Sequence, residues 1–536
     1  MSSLMKGTAI LTIGLFLSKI LGLVYIFPFY AIVGEENIGL YQYAYIPYNI
    51  MLSIAISGLP IAISKFVAKY NAKGDYATGR RLLKQSVGLM VVTGIVSFLL
   101  LNFLATPMAK MVISSNEQIY TVEDVATVIR WVSFALLVVP IMSSLRGFLQ
   151  GNGEFLPTSI SQLIEQIVRI IVLLGAAFLV VVVFKGDVKM ALNLSVFSAF
   201  IGALAGLYVM YYFWKKHKPA LDEKLATSVS SGNYSTLGIY KELLTYSIPV
   251  VFVGLGSSLF QLVDMITFNN TMISIGLASV TDKLFMMLNF STQKIIMIPV
   301  MLATGFSMAL IPTITKYYTT GDQAGLRNAL DKTYQVLLFL TIPATIGITV
   351  LSDEIYHVLY EQSPVGADVL AHYAPVAILF ALFSVTAALL QGIDYQRWIV
   401  FSLLTGLLVK LVLNIPLIKW LEVDGAILAT ALGYATTIII NIVVIHKALD
   451  YTSEMVKRRI MLICILTATM AVAVLVAKFM LGFMFEPDTK FTALMYCIVG
   501  VTVGAGVYGF ISLRLGLAQK LLGAKVTKIA NKLGFK

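Results

Sequence analysis

Charge is scarce in this 536-residue chain: 12% of its residues are Asp, Glu, Lys or Arg, against 58% hydrophobic. A soluble domain carries about a quarter of its residues charged to keep its surface in water, so a soluble globular fold is excluded. Cysteine is nearly absent. Cys464 and Cys497 both sit in apolar runs, which excludes a disulfide framework and a thiolate metal cluster. The four histidines (His217, His357, His372 and His446) are scattered with no pair at ligand spacing, so no metal site is expected. No Gly-x-x-x-x-Gly-Lys-Ser/Thr run occurs, which excludes a phosphate-binding loop of that type. Long outer loops are missing too. The longest, near 106–121 and 353–367, cannot hold a folded catalytic domain, and no acid/base constellation is found; an enzyme is not expected. Asp353, Glu354 and Glu361 are the acids a membrane glycosyltransferase would need, and a solvated loop is their simpler reading.

What the chain has is apolar runs of about 20 residues, each able to cross about 30 Å of hydrocarbon. These predict an all-α integral membrane protein of about fourteen transmembrane helices, the first over 7–33, the second over 39–67, the seventh over 243–268 and the eighth over 283–315. The first run is too long for a signal peptide and lacks a small-residue cleavage site. Lys and Arg concentrate in alternate connections, which places both termini in the cytoplasm. The net charge of +12 then reports orientation and attraction to anionic lipid, and nucleic acid is not an expected partner.

Short windows recur across the midpoint. Lys69-Tyr70…Gly74-Asp75 returns as Lys316-Tyr317…Gly321-Asp322, and Leu149-Gln150-Gly151 as Leu390-Gln391-Gly392. Such pairing predicts two six-helix bundles with a site between them. The expected divisions are a first bundle over 1–214, a cytoplasmic linker over 215–242, a second bundle over 243–447, two additional helices over 448–514 and a basic tail over 515–536. An even number of spans per bundle makes these parallel repeats. Gly58 with Pro60 in span two, and Pro299, Gly305 and Pro312 in span eight, are candidate hinges.

An ionisable side chain at mid-membrane depth costs at least about 2.5–3.5 kcal/mol on insertion scales and needs a reason. Lys19, Lys294 and Lys410 each lie within a span and have no acid three or four positions away on their own helix. Glu165 and Arg169 have that spacing and are expected to form a structural ion pair. Asp264 is the other intramembrane acid and a candidate cation ligand. Arg130 and Lys65, nearer the span ends, are expected to snorkel. Basic residues outnumber acids inside the membrane, which suits an anionic substrate: ammonium groups donate charge-assisted hydrogen bonds to phosphate oxygens.

Ser18-Lys19-Ile20-Leu21-Gly22 resembles the Ser-Arg/Lys-x-Leu-Gly segment of the multidrug/oligosaccharidyl-lipid/polysaccharide (MOP) flippase superfamily, and Lys294 with Pro299 five residues on is similar as well. Gly58-Leu59-Pro60 and Gly425-Ala426-Ile427-Leu428-Ala429-Thr430 fit the wider superfamily. Within it the chain resembles the MurJ-type lipid II flippases of the Gram-positive polysaccharide-biosynthesis subgroup. That resemblance covers the whole chain and implies a substrate diphosphate handled by Lys19 and Lys294, and a role in sodium binding for Asp264. The sequence departs from the pattern where two further arginines fall near Tyr25 and Ile54.

The expectation is a flippase of the bacterial cytoplasmic membrane that moves a lipid-linked anionic saccharide, lipid II first among them, by alternating access. Lys19, Lys294 and Lys410 are the expected diphosphate ligands. No cofactor is expected, and the drive comes from membrane potential or a Na+/H+ gradient. Membrane lipids and cell-wall synthases are the expected partners. Rival readings are a flippase for another wall, capsule or spore oligosaccharide, a cation-coupled drug antiporter, and a non-transporting wall-synthesis scaffold.

Overall fold

The computed structural model describes residues 14, 17–18, 20–22, 24–56, 58–229, 236–451, 454–522, 526–527 and 530–531; the side chains of some residues inside these helices, 302–313 among them, are not described. Almost everything described is helix. In chain order the helices are α1 (Ile26–Val33), α2 (Glu35–Ile56), α3 (Leu59–Ala72), α4 (Tyr76–Val112), α5 (Val122–Ser133), α6 (Val139–Gly151), α7 (Leu156–Phe178), α8 (Val188–Ala226) and α9 (Thr236–Ser274). Then follow α10 (Thr281–Met286), α11 (Thr292–Thr319), α12 (Gln323–Val350), α13 (Ser352–Leu359), α14 (Pro364–Tyr373), α15 (Val376–Gly392), α16 (Gln396–Leu449), α17 (Glu454–Gly482), α18 (Lys490–Arg514) and α19 (Leu517–Leu522). Among the described residues, twelve helical stretches are long and apolar enough to cross a membrane. One of them, α16, is two helices joined at Glu422, whose φ of 53° breaks the helical path. At 1.5 Å per residue its 54 residues would run about 80 Å, which is long enough for two crossings. Most of the expected first span lies outside the described residues.

The recurrent windows fold alike. After α3 the chain reverses through Gly74 (φ 74°), the Asp75 amide donates to Tyr70 O at 3.0 Å, and the Asp75 carboxylate caps α4 by accepting from Thr78 N at 3.0 Å. After α11 it reverses through Gly321 (φ 69°), the Asp322 amide donates to Tyr317 O at 3.0 Å, and Asp322 caps α12 by accepting from Gly325 N at 2.8 Å. Each motif is a glycine that reverses the chain followed by an acid that satisfies a free helix amide. The second pair matches as well. Glu154 N donates to Leu149 O at 2.9 Å past Gly153 (φ 84°), and Tyr395 N donates to Leu390 O at 2.8 Å past Asp394 (φ 62°). Asp, which tolerates the left-handed region better than most residues, stands where the first half uses Gly.

By packing, the chain forms two compact units, 1–283 and 284–536. Residues up to Ala226 continue α8, and α9, the expected seventh span, packs on α2, α3 and α4 of the first unit. Beyond α8, Ser228 Oγ accepts from Ala77 N at 2.9 Å and Val229 N donates to Gly74 O at 3.0 Å, so this stretch is docked on the first unit. In the second unit α11 packs on α12 and α15, α15 on α16, and α17 on both α12 and α18. α19 turns Leu517, Ala518 and Leu521 into an apolar cluster with Val336, Ile463 and Tyr508.

The candidate hinges divide. The chain breaks between α2 and α3, where Gly58 adopts φ 80° and Pro60 enters the first turn of α3. A Cβ on Gly58 would fall 2.8 Å from Ser247 O on α9. Gly58→Ala therefore combines a disfavoured conformation with a backbone clash and should destabilise the protein by about 1–3 kcal/mol. Thermal unfolding in detergent reads that loss, and an unchanged midpoint would show that the break does not need glycine. α11, by contrast, runs without interruption through Pro299, Gly305 and Pro312, so the expected breaks in span eight are absent. A proline removes one helix bond, and the remaining ladder carries the helix past it.

Candidate functional site

In the first unit α7 carries Glu165 and Arg169. Lys19 itself lies outside the described residues. Of the described residues nearby, Ser18 Oγ donates to Gln162 O at 3.3 Å, and a Cβ on Gly22 would come within 3.3 Å of the Gln166 side chain. The expected Glu165–Arg169 pair does not form. Glu165 instead pairs with Arg146 of α6, Nη2 to Oε2 at 2.8 Å, and Arg146 also donates to Ser161 Oγ at 2.7 Å. Arg169 turns toward α2, where it donates to Tyr45 Oη at 2.5 Å and Tyr41 Oη at 3.3 Å, with its guanidinium 5.1 Å from the Tyr45 ring centre. Helical spacing brought the pair onto one face, but both side chains are long enough to choose partners on other helices. Arg130 donates to Thr106 and sits 3.5 Å from Glu123, with 40% of its side chain exposed. Asp264 is buried on α9 at 3% exposure, and Lys65 is exposed on α3.

A buried polar cluster of the first unit went unforeseen. Asp282, 2% exposed, accepts from Tyr43 Oη at 2.8 Å, Ile119 N at 2.9 Å and Gln118 Nε2 at 3.3 Å, while Asn269 Nδ2 donates to Tyr43 Oη at 2.6 Å. One carboxylate thus ties the 112–120 loop to α2 and α9. Its sequence position, one residue before the expected start of span eight, gave no sign of burial. Arg146 was more legible, since it is a basic residue near the end of an apolar run.

In the second unit Lys294 sits half-buried on α11, its ammonium 5.5 Å from the Phe290 ring centre, a cation–π distance. Lys410 is different. It is 0% exposed, and its Nζ donates to Thr430 Oγ1 at 2.5 Å, joining the two parts of α16. In this conformation the Lys410 side chain is packed on all sides. Glu354 also departs from expectation. It is 4% exposed, not solvated, and pairs with Lys478 of α17 at 2.9 Å. Just past α16, Tyr451 donates to the Asp331 carboxylate; burial first, and that carboxylate next, push the phenol above its ordinary range, so it keeps its proton.

A groove of about 840 Å³ opens in this unit among α11, α12, α13, α17 and α18, and its wall is almost wholly apolar. Pro299 and Pro343 line it with Met470, Val474, Gly500 and Gly504. The two glycines let α18 approach closely, since a Cβ on Gly500 would meet Leu351 Cδ2 at 2.7 Å. Within a membrane, such a groove accepts alkyl chain, not a polar headgroup. Among the described residues, no group of three or more His, Cys, Asp or Glu is placed to hold a metal ion.

Apolar helices of crossing length, with a lysine inside a span and an apolar groove, define a multi-pass membrane protein. The solved structure of "Lipid II flippase MurJ, inward closed conformation" matches with a TM-score of 0.67 over 94% of this chain and 99% of its own, at 15% identity. An inward-facing multidrug-resistance MATE family transporter of the MOP superfamily matches with a TM-score of 0.61 over 82% of this chain and 96% of its own, at 14% identity. The chain belongs to the polysaccharide biosynthesis protein family, which matches residues 4–318, and MatE matches residues 249–416. The Lipid II flippase MurJ of Bacillus subtilis (strain 168) is 43% identical over 531 residues, covering 98% of each chain. The stage V sporulation protein B of the same organism is 25% identical over 83% of this chain and 84% of its own.

Proposed function

We propose that this protein is a lipid II flippase: it carries the polyprenyl-diphosphate-linked peptidoglycan precursor from the inner to the outer leaflet of the bacterial cytoplasmic membrane by alternating access, without catalysing a covalent step. The observation that carries this reading is the full-length 43% identity to a protein named for that activity. Two physical features support it. The second unit offers a groove of about 840 Å³ suited to a lipid tail, and Lys294 lies on α11, whose Pro299 lines that groove. In this reading Lys294 and Lys19 donate to the diphosphate, both termini face the cytoplasm, and Asp264 is the carboxylate through which a sodium or proton gradient drives the cycle. Cell-wall synthases are its protein partners. Depleting the protein and measuring the accessibility of labelled lipid II on the outer face tests the reading. Accessibility should fall as the protein is lost, and unchanged accessibility in a strain without a redundant flippase would overturn it.

A further inference from the structure

The first turn of α13 borders a small polar pocket of about 90 Å³, lined by Asp353, Glu354, His357, Gln362, Ser363 and Pro487 among others. Two of these side chains are carboxylates. Glu354 is 4% exposed; its Oε1 accepts from Lys478 Nζ at 2.9 Å, and its Oε2 is buried with no hydrogen-bond partner in the protein. Lys478 is also engaged with Val350 O, at 2.9 Å. His357 Nδ1 lies 3.1 Å from Pro487 O; because a carbonyl only accepts, this nitrogen carries the proton, and Nε2 of the neutral ring is left as a further acceptor. Ser363 Oγ is taken as an acceptor by Gly366 N at 3.2 Å, as the cap of α14. Two carboxylates face one ammonium here, which leaves a single negative charge when His357 is neutral.

A buried carboxylate oxygen is held at a cost unless something donates to it. Among the described residues no group of three or more His, Cys, Asp or Glu is placed to hold a metal ion, here or elsewhere. The pocket's volume of about 90 Å³ gives room for an ammonium group and the carbon that bears it. We propose that this pocket binds a primary ammonium group, whose N–H donors satisfy Glu354 Oε2 and whose charge balances Asp353. The site lies on the polar face of α13. The opposite face, through Ile355, Val358 and Leu359, walls the apolar groove, so the occupant steadies the helix that borders the groove.

The test uses the full-length protein in phosphatidylglycerol nanodiscs. Amide hydrogen exchange over 352–359 and the unfolding midpoint are measured in methylammonium, potassium or tetramethylammonium chloride at equal ionic strength. Methylammonium should slow exchange in α13 several-fold and raise the midpoint. Potassium is close to ammonium in size but donates no hydrogen bonds, and tetramethylammonium is bulkier and has no N–H; neither should act. Glu354→Gln should lose the response. Because that variant also disturbs Lys478, Asp353→Asn at the exposed rim is the second probe and should weaken the response without loss of fold. Phosphatidylethanolamine replacing the phosphatidylglycerol, with no methylammonium, assigns the source: protection there means a lipid headgroup, and its lack means an amine from solution or substrate. Equal effects of potassium and methylammonium, or a full response in both variants, would overturn the proposal.

Discussion

Lys294→Ala, and separately Lys19→Ala, should abolish delivery of lipid II to the outer leaflet while leaving the protein folded and inserted. The argument is electrostatic. A diphosphate carries its charge through the membrane only if fixed cations replace its water, and each charge-assisted hydrogen bond contributes about 1.5–3 kcal/mol. Loss of one ammonium then weakens substrate binding by about tenfold to a hundredfold, and more where the substrate charge is left uncompensated in the low-dielectric interior. Lys294→Arg keeps the charge and should retain part of the activity. Lys294 is half-buried with its ammonium 5.5 Å from the Phe290 ring centre, and the melting curve separates a loss of fold from a loss of transport. Reconstituted translocation with labelled lipid II, alongside a melting curve for each variant, is the measurement. Full translocation by either alanine variant would remove that lysine from the substrate path.

Lys478→Met should be the most destabilising of the substitutions considered, at about 3–5 kcal/mol. It strips the partner from Glu354, which is 4% exposed and already has one oxygen without a protein donor. Removing one member of a buried pair leaves the other charge in a medium that cannot solvate it, which costs more than the pair is worth. The double variant Glu354→Gln with Lys478→Met removes both charges and should recover most of the loss. Unfolding midpoints in one detergent, with the two single variants and the double, complete the cycle. Equal midpoints for Lys478→Met and the unaltered protein would mean that this pair does not join α13 to α17 in solution.

Much of the architecture was legible in the chain. Apolar runs marked the spans, including the two that the structure joins through Glu422, because a helix in lipid must be apolar whatever its neighbours are. The paired windows were legible for a similar reason. Gly74 with Asp75, and Gly321 with Asp322, each close a turn and cap the next helix with atoms at most a few residues apart. The expected interruptions were only half right, since a proline weakens a helix without dictating a break. Gly58 breaks the chain where a reversal in φ is required, while Pro299 is carried inside α11.

The site was less legible. From residues alone, Glu165 and Arg169 were partners and Glu354 lay in a solvated loop. In the folded chain Glu165 pairs with Arg146, Arg169 lies among tyrosines of α2, Lys410 is enclosed with Thr430, and Glu354 is buried against Lys478. The sequence by itself determined the membrane class, the crossing helices and the repeated turns, because hydropathy and turn chemistry act over a few residues. The tertiary structure alone decided which charges pair, which are enclosed and where the apolar groove runs. Lysine, arginine and glutamate side chains reach across to neighbouring helices, so their partners depend on how each helix is rotated and packed, and spacing along one helix does not encode that rotation.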